Sequence, residues 1–182
     1  RPVEVIPTGL PADRFRQGDG ARFRAAHGLP AGRPLVTYVG RVAHEKNIPF
    51  LLDAYVEVRR ARPDALLVIA GEGPALPALA AQAARLGITR DVAFVGYLDR
   101  NEGLPDCYAA ASVFTFASRT ETQGLVLLEA MAQGCPIVST AHLGTATILR
   151  NGCGAHIATD DVAAFAHGVL GMLDDPARAA HV

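Results

Sequence analysis

The chain has 182 residues, half of them hydrophobic, with a formal net charge of −1. That size and composition suit one domain with a substantial core. The balanced charge argues against a nucleic-acid or polybasic membrane role, and the longest apolar runs are too short to span a bilayer.

The sequence opens at Arg1 with RPVEVIPTG, and no signal-peptide pattern follows. Residues 1–33 read as an opening strand followed by a polar connecting segment. PLVTYVGR (34–41) is a short apolar run rich in β-branched and aromatic residues, hence a strand. Helical spacing over 48–62 puts Phe50, Leu51, Ala54, Tyr55 and Val58 on one stripe. ALLVIAGEG (65–73) is a second buried strand. Residues 74–87 form a helix with Pro near its start and Gly at its end. DVAFVGY, ASVFTFAS, CPIVST and GAHIAT are further strands, separated by short helices at GLPDCYAAA and 124–133. A last helix follows in DDVAAFAHGVLGMLDDPARAAHV and stops without a clear terminator. With its abrupt start, this marks the chain as a portion of a longer protein.

Strands that are apolar throughout and alternate with helices predict a parallel sheet covered on both faces. The expected fold is a doubly wound α/β domain of about six strands. In such sheets ligands sit at the carboxyl ends of the strands. The polar loops GRVAHEKN, AGEGP, FVGY and SRTETQG all follow strands, so they should converge on one crevice. Cys107, Cys135 and Cys153 form no CxxC pair and have no metal spacing, which points to buried thiols in a reducing, cytosolic setting.

Three of these loops carry possible chemistry. In GRVAHEKN, Arg41 and Lys46 could both aim at one anionic group near the following helix N-terminus, with His44 close by. They read equally as solvated surface cations, one of them paired with Glu45. AGEGP lacks the GxGxxG spacing and reads as a plain strand-to-helix turn. In FVGY, backbone groups around Gly96 and Tyr97 could hold a planar base, or simply end a strand. In SRTETQGLVLLEAMA, the N–H groups around Gly124, Leu125 and Val126 would point at an anion. Glu129 lies five residues beyond Gly124, about 7–8 Å along a helix axis. That span fits a phosphate at the helix start and a ribose alongside. Glu129 is also the only charge in GLVLLEAMA, which disfavours an ordinary surface role. Glu121, before the helix, would face whatever hangs off the phosphate.

These loops, in this order, resemble the C-terminal domain of GT-B glycosyltransferases, retaining family 4 (the group 1 transferases). The residues that carry the resemblance are Gly40, Arg41, Glu45, Lys46 and Asn47; Gly71 and Gly73; Phe94, Gly96 and Tyr97; and Glu121 through Gly124 with Glu129, Ala130, Gly134 and Pro136. The resemblance implies a Rossmann-like domain over 34–182, with 1–33 as the interdomain connection. It implies a nucleotide-sugar donor, UDP-sugar favoured, bound without metal or other cofactor and used with retention. Gly40, Arg41 and Lys46 would meet the diphosphate, Arg41 and Lys46 stabilising the leaving group. Glu129 would bind the ribose, and backbone at Gly96 and Tyr97 the base. Glu121, with the backbone of Thr122, Gln123, Gly124 and Leu125, would contact sugar and phosphates. Arg41, Lys46 and Glu121 are thus the expected catalytic residues. The acceptor, a glycan or lipid, would meet the donor through an N-terminal domain that this chain lacks. Any membrane contact, at the cytoplasmic face, would also be made there.

The sequence departs from the family at three places. TGLPADRF (8–15) stands where many members have Asn-Gly-Val-Asp followed by Phe, Gln123 takes a common aromatic position, and GTATIL (144–149) lacks the usual Gly-Gly and following Glu. The TETQG form resembles members that glycosylate diacylglycerol or related lipids. A sugar-nucleotide 2-epimerase or phosphorylase of the same fold, and a non-catalytic nucleotide-binding module, are the alternative readings.

Overall fold

The computed structural model describes residues 9–10, 18–149 and 154–175. Six strands form one parallel sheet: β1 (Leu35–Val39), β2 (Leu66–Ala70), β3 (Val92–Gly96), β4 (Val113–Phe116), β5 (Ile137–Ser139) and β6 (Ala155–Ile157), in the order β3-β2-β1-β4-β5-β6. This is the doubly wound arrangement expected from the sequence. Every residue of β1 and β2 is buried, which is why those strands are apolar throughout rather than alternating.

Helices cover both faces. α2 (Ile48–Ala61) packs against α3 (Leu76–Arg85) and α7 (Val162–Asp174). α1 (Gly20–Ala26) packs against α4 (Gly103–Ala110), which in turn meets α5 (Leu125–Ala132). The α2 stripe is as expected, with Leu51, Ala54, Tyr55 and Val58 buried and Phe50 half-buried. Two short helices escaped the sequence reading. α1 lies in the stretch read as a polar connection; Asp19 caps it, and buried Asp106 of α4 ties it down by accepting from Arg22 Nη2 at 2.8 Å and from the Asp19 N–H at 2.7 Å. α6 (Gly144–Ile148) packs on α5. Residues 1–8, where the expected opening strand would begin, lie outside the described residues, as does Cys153. Cys107 and Cys135 are buried free thiols, and burial pushes Cys135 up to about 12. Among the described residues no helix is long and apolar enough to cross a membrane.

The site is placed by the sheet order. β1 and β4 are neighbours, registered Val36 to Val113 and Thr37 to Phe114, yet their loops leave toward opposite faces to reach α2 and α5. A crevice opens between them. On its other side the ends of β1 and β2 nearly touch. A methyl group at Gly71, which sits at φ +130°, would lie 1.9 Å from the Gly40 carbonyl oxygen. One at Gly73 would lie 2.2 Å from the Val42 carbonyl oxygen. Gly71→Ala is therefore expected to destabilise the domain by about 2–3 kcal/mol in urea unfolding. Gly171→Ala, in α7 with nothing within 4 Å of the added carbon, should instead be neutral or stabilise by about 0.5–1 kcal/mol.

Candidate donor-binding site

The loop after β1 is held from below. Buried Tyr38 donates its hydroxyl to the Arg41 carbonyl at 3.1 Å, and the Val42 N–H donates to the Glu72 carbonyl at 2.8 Å. A 3₁₀ turn, His44–Lys46, ends at Asn47, whose left-handed backbone (φ 55°) starts α2. The Asn47 amide also donates to the Ala117 carbonyl at 3.3 Å, joining this loop to the end of β4. Arg41 and Lys46 leave this loop toward different partners. The Arg41 guanidinium, two-thirds exposed, pairs with Glu45 one turn on. Lys46, largely shielded, crosses the crevice and places Nζ 3.0 Å from Glu121 Oε2. Exposed His44 sits in the same turn.

Glu121 organises the loop after β4. Its Oε1 accepts the N–H groups of Gln123 at 3.2 Å and Gly124 at 3.1 Å, while Oε2 takes Lys46. Burial alone would raise this carboxyl, but the Gly124 N–H, Lys46 and the Gln123 N–H outweigh it and hold Glu121 below its ordinary value. The Gly124 N–H is thus turned onto Glu121 and not offered to an anion. The N–H groups of Leu125 and Val126, in the first turn of α5, have no acceptor within the helix. Gly124 itself is at φ 64° and would drive a methyl group to 2.9 Å from Ile148 Cδ1. α6 buttresses the loop: the Gly144 N–H donates to the Glu121 carbonyl at 3.0 Å, and Gly144 lies against the Thr122 backbone. Thr122 and Gln123 face solvent.

A cavity of about 540 Å³ opens beside these loops. Gly40 and Gly71 are part of its lining, with Tyr97 from the loop after β3 and Leu125 and Val126 from the first turn of α5, and Arg41 reaches it as well. Tyr97 is 68 % exposed, unusual for so large an apolar ring. Glu129 also lines the cavity, although only 3 % exposed. Its Oε2 accepts the Tyr108 hydroxyl at 2.8 Å, and its Oε1 accepts Arg100 Nη2 at 3.2 Å. Burial pushes the Glu129 carboxyl up; the Tyr108 hydrogen bond and the Arg100 charge oppose it. Tyr108 is set in place by an edge contact with Phe114 of β4, ring centres 5.6 Å apart.

The residues expected from the sequence therefore fall into two groups. Gly40, Arg41, Tyr97, Leu125 and Glu129 line the cavity. Lys46, Glu121, Thr122, Gln123 and Gly124 form its neighbour across the crevice, and Gly96 ends β3 directly before Tyr97. Glu129 is not the surface residue of the simpler alternative. The sequence reading missed Arg100 and Tyr108. Arg100 carried a signal, a cation just past a strand's carboxyl end; Tyr108 looked like any core aromatic.

A family model described as glycosyl transferases group 1 matches residues 19–182. The chain is 36 % identical over 187 residues to a GDP-mannose-dependent alpha-(1-6)-phosphatidylinositol monomannoside mannosyltransferase of Mycolicibacterium smegmatis, covering 98 % of this chain and 49 % of that protein. It is 36 % identical over 140 residues to an alpha-monoglucosyldiacylglycerol synthase of Streptococcus pneumoniae, covering 74 % and 32 % respectively. Its backbone superposes with a TM-score of 0.86 on Anabaena HepE in complex with UDP and glucose, 22 % identical, covering 98 % of this chain and 49 % of that one. The chain spans half or less of the length of these relatives. The sheet is the Rossmann-like half of a GT-B fold, and the chain belongs to the group 1 glycosyl transferases.

Proposed function

We propose that this chain is the donor-binding half of a retaining glycosyltransferase that uses a UDP-sugar. The observation that carries the reading is a buried carboxylate, Glu129, on the wall of a cavity that also reaches a helix N-terminus and Arg41. A nucleoside diphosphate has matching parts: vicinal hydroxyls for the carboxylate and phosphates for the N–H groups and cations. Tyr97, exposed at the mouth, would lie against the base. The UDP complex of HepE supports the choice of uridine, while the mannosyltransferase relative uses GDP-mannose.

In this reading the chemistry belongs to charge. As the bond between the sugar and the diphosphate breaks, negative charge grows on the leaving phosphate, and groups already aimed there lower the barrier. Lys46 has three N–H donors and directs one at Glu121, so others remain for a phosphate oxygen. Arg41 offers a fork from the same loop and needs only to swing from exposed Glu45. The low position of Glu121 keeps it ionised, suited to orient Lys46 and to accept a sugar hydroxyl rather than to donate a proton. No metal is required for this neutralisation, so chelation should leave UDP affinity unchanged. The acceptor, a lipid or glycan, would be brought by an N-terminal domain at the cytoplasmic face of the membrane. Two relatives carry lipids in their names, a phosphatidylinositol monomannoside and a monoglucosyldiacylglycerol, in keeping with the TETQG form.

Calorimetry of the chain against UDP, GDP and ADP and their hexose conjugates is expected to show the tightest binding for the uridine series. Glu129→Ala should weaken UDP by about 10- to 100-fold, the loss of hydrogen bonds to a charged group. No binding by any of the nucleotides would remove the reading. The chain alone should transfer no sugar to added acceptors. Acceptor-dependent release of UDP would show that the catalytic apparatus is complete without a second domain.

A further inference from the structure

Glu129 stands between two donors from elements outside its own helix. Tyr108 reaches it from α4 beneath the cavity, and Arg100 from the loop between β3 and α4. The two take different oxygens. A carboxylate accepts at about four positions, two on each oxygen. Among the described residues one position on each oxygen is filled and one on each is left, a match for two neighbouring hydroxyls. The Arg100 side chain is 64 % exposed, so its pair with Glu129 adds little to fold stability. It does sit on the cavity wall with Glu129. An arrangement that contributes little to folding and lines a ligand cavity calls for a different role.

We propose that Arg100 and Tyr108 are positioning residues for the nucleotide, acting through Glu129: they hold its carboxylate charged and oriented so that its free acceptor positions face the ribose hydroxyls. The inference rests on the donor-site reading above and extends it to two residues that touch no expected ligand group in that reading. The physical need is plain. Glu129 lies among Leu98, Leu104, Leu125 and Val126, an environment that favours the neutral acid. A neutral carboxyl would turn one acceptor into a donor and lose its grip on hydroxyl groups. Among the described residues the titratable and charged groups facing this cavity are few. α5 supplies no charge besides Glu129, α4 supplies Tyr108, and the loops after β1, β2 and β3 supply Arg41, Glu72 and, with Tyr97, Arg100. Glu72 is a like charge and cannot hold Glu129 ionised. Arg41 is engaged by Glu45. That leaves Arg100 as the cation on Glu129 and Tyr108 as its buried donor.

The sign of the pH effect follows. Nucleotide binding needs the ionised form, so affinity falls as pH drops through the Glu129 titration. Removing Arg100 removes an influence that favours ionisation, so the titration moves to higher pH. Arg100→Ala should therefore bind UDP severalfold more weakly in the pH range where Glu129 titrates and recover as the pH is raised above it. Arg100→Lys, which keeps the charge, should track the unsubstituted chain. A merely structural role for Arg100 would give a loss that pH does not relieve.

The test has two arms on the full chain. In the first, ¹³C-carboxyl-labelled glutamate is followed by NMR without ligand, with Glu129 assigned by its absence in Glu129→Gln. The Glu129 signal is expected to titrate at higher pH in Arg100→Ala and in Tyr108→Phe than in the unsubstituted chain. In the second, UDP affinity is measured by calorimetry across the same pH range in the Arg100 variants. A Glu129 titration unmoved by either substitution overturns the inference even if UDP binds. Failure of the unsubstituted chain to bind UDP at any pH overturns the donor-site reading, whatever the titration shows.

Discussion

The architecture of the site depends on a backbone contact that only glycine permits. Gly71 rests against the Gly40 carbonyl, so the carboxyl ends of β1 and β2 close on each other with no side chain between them. Gly40 and Gly71 then both reach the cavity as bare backbone. The neighbouring contact of Gly73 with the Val42 carbonyl fixes the two loops relative to each other. Tyr38, wedged beneath with its hydroxyl on the Arg41 carbonyl, sets the height of the loop that carries Arg41 and Lys46. The sheet's change of direction between β1 and β4 supplies the opposing wall.

On that frame the two carboxylates have opposite characters. Glu121 is stitched into its own loop by backbone N–H groups and by Lys46, and it is held low. Glu129 is buried in an apolar helix and pushed up, with a phenol and a guanidinium opposing that push. The contrast arises from what surrounds each group, as the residue type is the same. In the proposed reading, it separates a residue that shapes the phosphate end of the crevice from one that defines the hydroxyl end. It also gives the helix α5 two distinct ends of use: a glycine start whose first-turn N–H groups face outward, and a carboxylate just over one turn further on.

Much of this was legible in the sequence. Uniform apolarity marked the strands, because a sheet covered on both faces asks for nothing else. Glu129 was conspicuous as the one charge in GLVLLEAMA, and the polar loops fell after strands, where a parallel sheet gathers them. What remained hidden has a common cause: it depends on residues far apart in the chain. Lys46 meets Glu121 across 75 residues, and Tyr108 meets Glu129 across 21. Neither spacing leaves a periodic trace. The Gly124 N–H was expected to face a ligand, yet a carboxylate three residues earlier was close enough to capture it. The helix α1 went unread because about two turns, capped by Asp19 and anchored by Asp106, carry too few apolar residues to show a stripe.

The central claim is that the crevice has a hydroxyl end at Glu129 and a phosphate end at Lys46. Comparing uridine with UDP in two variants tests it most directly. If the claim holds, Glu129→Gln weakens uridine and UDP by the same factor, because both carry the ribose. Lys46→Ala then weakens UDP and leaves uridine unchanged, because only UDP carries the phosphates. Equal loss of both ligands in Lys46→Ala, or uridine binding indifferent to Glu129→Gln, would contradict it.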